Sequence, residues 1–222
     1  MNKTDLILTL LLGIGIMQFA WLSVMMHQRG IAAERILSSI PPLFAIWVLF
    51  WPVYVQAESI LLGICLLALC ISLASTIRMP WFVILKSCWS GSAHGLLDIA
   101  MFMLALGIAA LMYLAAPEFG FGIALSLCMG VPAADWLDRT GIVRLDFPSN
   151  PGQTLIGHLM LIAAVGLLCG WSLLIFHDLG WGHVLMATVL AGLAASVTRA
   201  MIPEPLNLPL IASVTGITLW LL

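Results

Sequence analysis

Charge is what this chain has least of. Its 222 residues include 8 Lys plus Arg and 10 Asp plus Glu, so charged side chains are 8% of the sequence. A soluble globular chain carries about 25%, and so sparse a set cannot coat a water-facing domain of this length. Basic clusters are missing as well, and a net charge of −2 gives no reason to expect a nucleic-acid partner. The five cysteines (Cys65, Cys70, Cys88, Cys128, Cys169) are odd in number and lack paired metal spacing. They read as small hydrophobes, and no metal site is expected. There is no Walker lysine loop, G-x-S-x-G, H-E-x-x-H or C-x-x-C, so the nucleophile and metal constellations of those motifs are absent.

What fills the chain is apolar, with 63% hydrophobic residues and a mean hydropathy of +1.15. Apolar runs occupy residues 6–26, 40–55, 59–77, 96–116, 121–134, 155–176, 184–197 and 208–222. A helix of about 20 residues crosses the roughly 30 Å of hydrocarbon in a bilayer. Shorter runs must thin the bilayer, break within it or pack inside the bundle. The expected fold is all-α, a polytopic transmembrane helical bundle of about eight spans. It forms a single domain over residues 1–222, with residues 135–154 as its main cytoplasmic loop.

The basic residues choose the direction. Arg29 and Arg35 lie in the first break, Arg78 and Lys86 in the third, Arg139 and Arg144 in the fifth, and Arg199 in the seventh. Glu58, Glu118 and Asp178 mark the second, fourth and sixth breaks, which hold no Lys or Arg. The positive-inside rule makes the odd breaks cytoplasmic. Lys3 is the exception. With the 6–26 run behind it, it looks like the start of a signal peptide. Phe19-Ala20-Trp21-Leu22 offers no small-x-small cleavage site, so an uncleaved first helix with its N-terminus outside is expected. For a bacterial source this places the protein in the inner (plasma) membrane, as a multi-pass chain.

Polar chemistry therefore belongs on the cytoplasmic face. Asp135, Asp138, Arg139, Arg144 and Asp146, followed by Ser149-Asn150-Pro151-Gly152, could hold a divalent metal and a phosphate, or could form a turn-rich connector facing water. Asp98 lies near the start of a span, where an ionisable group is a functional candidate by default. His158 sits one turn into another span and could meet a lipid headgroup or bond between helices. His177 and His183 flank Trp181 on the outer side, as a weak metal pair or part of an aromatic belt. Gly166-x-x-x-Gly170 and the ladder Ala187, Ala191, Ala195 are faces that let helices approach closely.

The order of landmarks resembles the membrane-embedded phytol and polyprenol (dolichol) kinases, which are CTP-using lipid kinases. Gly30 to Arg35 with Trp51-Pro52 resembles their opening segment, Gly91 to Leu97 their E-G-x-A-x-E-L-L, and Gly130 to Asp135 their G-D-G-x-A-D. Asn150 to Gly157 resembles N-P-K-K-S-x-E-G, and Ala195 to Pro203 with Leu208-Pro209-Leu210 resembles the closing landmarks. The likeness covers about residues 28–222. It implies the family's fold, and it implies Arg35, Asp135, Asp138, Arg139, Arg144 and Arg199 as headgroup or phosphate contacts, with Asp98 and His158 as polar contacts of a lipid cavity. The departures cut against activity. Val131 stands at the metal-binding Asp position, Gln153 and Thr154 at the phosphate-binding K-S pair, and Arg199 at a Glu. Phosphoryl transfer depends on such positioned groups, so the expectation is a non-catalytic relative with no catalytic residue and no cofactor. It would bind an isoprenoid or other lipid, or serve as a subunit of a membrane complex beside a membrane-protein partner. The alternative is an active lipid kinase with relocated groups, using CTP and Mg²⁺.

Overall fold

Prolines and polar caps set where the helices begin. The computed structural model describes residues 2–32, 35–36, 38–76, 95–139, 141, 144–147, 150–177 and 180–222. Helix α1 runs Lys3–Gln28 behind an Asn2 cap. Helix α2, Ile40–Val48, opens on Pro41 and Pro42, whose fixed φ and missing N–H suit a first turn. A 3₁₀ turn, Trp51–Val53, follows. Helix α3 covers Glu58–Thr76 and α4 covers Gly95–Ala115.

The next span is one rod with a local widening. Helix α5 (Pro117–Leu125) passes through a π turn (Ser126–Gly130) into α6 (Val131–Asp138). Pro132 explains the widening. It has no N–H for the Cys128 carbonyl, and its ring would crowd that carbonyl in a regular α-helix. Val131 N–H instead reaches back to the Ser126 carbonyl, a π-type bond that relieves the clash. An antiparallel hairpin follows, β1 (Arg144–Phe147) against β2 (Asn150–Thr154), with a bulge between Arg144 and Asp146. Then come α7 (Leu155–Phe176), α8 (Trp181–Met201) and α9 (Asn207–Trp220). Within the stretch expected as a loop, 135–154, the described residues include the last turn of α6 and the two paired strands.

Each apolar run carries a helix. Among the described residues five helices are long and apolar enough to cross a membrane: α1, residues 97–115 of α4, Pro117–Asp138, α7 and α8. Ile40–Val53, Glu58–Cys70 and Asn207–Trp220 are shorter apolar helices. Large apolar side chains point outward along them, for example Ile7, Ile14 and Met17 on α1 and Leu159 and Leu167 on α7. Thr188, Ser196 and Arg199 of α8 point inward. A water-soluble surface rarely exposes contiguous apolar patches beyond a few hundred Å², so this inverted pattern suits hydrocarbon.

The described residues form two compact units, Met1–Met103 and Leu104–Leu222. In the first, Asp5 is buried at the head of α1. Its carboxylate accepts from Val55 N–H at 2.9 Å, Gln56 N–H at 3.2 Å and the Ser59 hydroxyl at 3.2 Å, capping the start of α3. Otherwise α1 stands almost bare, with 6% of its apolar window buried. In the second unit α7 and α8 lie against each other through small residues. Ala191 and Ala195 are fully buried, and a Cβ on Gly192 would come within 2.6 Å of the Ile162 carbonyl oxygen. The small-residue faces read from the sequence do pack helix on helix.

In the second unit the helix ends meet in two groups. Glu118, at the head of α5, pairs with His177, just past α7, at 3.0 Å, and the Ser172 hydroxyl donates to the Glu118 carbonyl. The foot of α6, the head of α7 and the foot of α8 meet at the other end of the unit through the contacts described next. Residues 77–94, with Arg78, Lys86, Cys88 and the 91–94 motif, lie outside the described residues, as do Ser149 and Asp178.

Candidate functional site

Asp135 and Asp138 are three apart on α6 and so share a face. That face meets Arg199, which lies in the last turn of α8 and is 1% exposed. One guanidinium nitrogen donates to Asp135 and, at 2.7 Å, to Asp138 Oδ2. The other Asp138 oxygen accepts from both the backbone N–H and the hydroxyl of Thr154, each at 2.7 Å. Thr154 caps α7 and accepts from Gly157 N–H at 3.0 Å. The Asp138 carboxylate therefore lies on the positive end of α7, where partial charge favours an anion. Gly157 makes room for it, since a Cβ there would collide with that carboxylate.

A second chain of bonds joins the same end. The Gln153 amide nitrogen donates to the Arg199 carbonyl at 3.1 Å, which fixes the amide's orientation and leaves its oxygen facing His158 Nε2 at 2.9 Å. His158 Nε2 must then carry a proton, and in the neutral ring Nδ1 accepts from the Ser196 hydroxyl at 2.8 Å. Both ring nitrogens are engaged and the side chain is buried. His158 is thus an interhelical bonder here, not a group open to a ligand.

The proposed site residues divide as follows. The structure brings Asp135, Asp138, Arg199 and His158 into one network. Arg139 caps α6 at its foot and is exposed. Arg144 lies in β1, with its side chain outside the described atoms. Arg35 and Asp98 belong to the first unit, Arg35 exposed and Asp98 half-buried on α4. Ser196 and Asp5 are functional-looking polar groups that the sequence reading passed over. Ser196 lies one turn before Arg199 on the same face, which was a usable signal. Asp5 was a carboxylate at the head of a span, also a signal. Among the described residues no group of three His, Cys, Asp or Glu side chains is placed to hold a metal ion.

The site has one buried cation between two carboxylates, and one of those carboxylates is seated on a helix N-terminus. Such a cluster ties α6, α7 and α8 together at one end. Compared with known proteins, the chain matches no family model, no curated protein and no solved structure.

Proposed function

We infer that this chain is a non-catalytic, multi-pass membrane protein, related in plan to the phytol and polyprenol kinases, that holds a lipid rather than phosphorylating one. The observation that carries the reading is the occupant of its anion site. Arg199 and the head of α7 are the groups that would receive a phosphate, and Asp138 already lies on both. A phosphate entering there meets two carboxylates, and juxtaposed like charges cost several kcal/mol. The transferred group in a kinase needs cations that are not already committed. Arg199 is held by Asp135 and Asp138.

The reading takes the eight apolar helices as spans in the inner (plasma) membrane, with the N-terminus outside and the Arg199 end cytoplasmic. With native cysteines replaced, cysteines at Arg139 and Ser149 should react with an impermeant thiol reagent only from the cytoplasm. Those at Glu118 and Asp178 should react only from outside. The reverse pattern inverts the topology.

For the chemistry, purified protein is incubated with labelled CTP or ATP, Mg²⁺ and phytol, farnesol or polyprenol. No phosphorylated lipid above the protein-free background is expected. Nucleotide-dependent product that disappears in Asp135→Ala would establish the active-kinase alternative instead. The anion site has its own test. Inorganic phosphate should raise the melting temperature of Asp138→Ala, where Arg199 and α7 face an emptied place, and leave the wild type unchanged.

A further inference from the structure

Within its apolar run, residues 6–26, helix α1 carries three polar side chains: Thr9, Gln18 and Ser23. Two of them are closed onto their own helix. The Thr9 hydroxyl donates to the Asp5 carbonyl and the Ser23 hydroxyl to the Phe19 carbonyl, each at 2.8 Å. Gln18 is different. Its side chain is exposed, and among the described residues it has no hydrogen-bond partner. A carboxamide in hydrocarbon without a partner loses the bonds that water would give it. Nor can it reach water. Gln18 lies two residues, about 3 Å, past the middle of the run, and Met26 at the nearer end is about 12 Å farther along the axis.

The face that carries Gln18 is the outward one. On the other side of α1, Leu12, Ile16 and Phe19 line an apolar cavity against Phe44 and Trp47 of α2. The outward stripe runs Ile7, Leu11, Ile14, Gln18, Trp21 and Met25, in alternating steps of four and three, with Leu11 at the cavity's rim. Ile7, Leu11, Ile14 and Trp21 are each more than half exposed. Such a stripe is the seam by which two helices pack at a crossing angle of about 20°. One polar residue within an apolar seam fixes the register of the pair.

The amide also selects the partner. Its oxygen accepts and its NH₂ donates, so two Gln18 side chains brought together satisfy each other reciprocally. All copies of the chain share one orientation in a bilayer. A second copy therefore brings its Gln18 to the same depth, about a two-fold axis along the membrane normal. An unrelated helix would meet Gln18 only by carrying a polar group at that one level. We propose that the outward face of α1 is a homodimer interface, in which two parallel α1 helices pair through reciprocal Gln18–Gln18 hydrogen bonds. The inference requires α1 to lie in the bilayer and is independent of the lipid-holding reading.

Full chains labelled with a donor or an acceptor fluorophore are mixed in liposomes of phosphatidylcholine and phosphatidylglycerol over a range of protein-to-lipid ratios. Energy transfer should exceed the level of random mixing and follow a dimer isotherm. Gln18→Leu should weaken association about ten-fold, the size of an interhelical hydrogen-bond contribution in model helices. Gln18→Asn, which keeps the carboxamide, and Ile16→Leu, on the cavity side, should associate much as the wild type does. Gln18 bonds to nothing among the described residues of its own chain, so Gln18→Leu should melt no lower than the wild type in detergent micelles. That separates loss of the interface from loss of the fold. With native cysteines replaced, oxidation should link copies carrying Ile14→Cys or Trp21→Cys, but not those carrying Ile16→Cys. Transfer at the random level, association indifferent to Gln18→Leu, or links through Ile16→Cys in place of Ile14→Cys overturns the proposal. A photo-crosslinker at position 18 that captures a different protein in native membranes, and no second copy, overturns it as well.

Discussion

The two units are held by different forces. In Leu104–Leu222, helices touch backbone to backbone. A Cβ on Gly122 would lie 2.8 Å from Cys169 Cα, and one on Gly170 would lie 2.7 Å from Thr188 Cγ2. The same unit closes one end with the Arg199 network and the other with Glu118–His177. In Met1–Met103, Gly13 and Gly15 meet nothing within 4 Å, aromatic rings surround a cavity, and a single carboxylate ties α1 to the start of α3. Lipid tails are as apolar as leucine, so there is no hydrophobic drive between helices within a bilayer. Close packing and interhelical hydrogen bonds decide what associates. The second unit has both in quantity. The first relies on few of either.

Substitutions can sharpen this contrast. The largest effect is expected from Arg199→Ala, which removes the cation that bridges the two carboxylates. Breaking a buried pair costs roughly 3–5 kcal/mol. Asp135 is 41% exposed, which puts the loss near the lower bound. Thermal unfolding in detergent should show it, and adding Asp135→Asn with Asp138→Asn should restore a large part. If Arg199→Ala melts like the wild type, the network is not what binds this end.

Glycine gives the next contrast. Gly192→Ala pushes a methyl into the Ile162 carbonyl, and overpacking of this kind costs about 1–3 kcal/mol. Gly15→Ala adds a methyl to open space and should stay within about 0.5 kcal/mol. Equal effects would erase the distinction between the units. Asp5→Ala removes the cap from α3, and amide hydrogen exchange at Val55 and Gln56 should speed up while exchange in α7 and α8 stays as it was. The smallest change belongs to His177→Ala. That side chain is 49% exposed, and an exposed pair is worth about 0–1 kcal/mol. Its melting temperature should barely move.

Much of the fold was legible in residue order. Apolar runs of bilayer length located the helices, because a chain with 8% charge has little but hydrocarbon to offer its surroundings. Small residues at four-residue spacing announced the α7–α8 contact, since only side chains that short let backbones approach. Asp135, Asp138, Arg199 and His158 were also picked out, because ionisable groups in so apolar a chain are few.

Tertiary structure decided what those groups do. Arg199 follows Asp135 by 64 residues, and no local pattern says that a guanidinium will take up both carboxylates before a ligand can. Whether Asp138 caps α7 depends on the hairpin that turns the chain back, and on the π turn that Pro132 forces at the start of α6. The lining of the cavity was equally hidden. Helix α1 is apolar on every side, so only its neighbours determine which stripe faces the cavity and which faces outward.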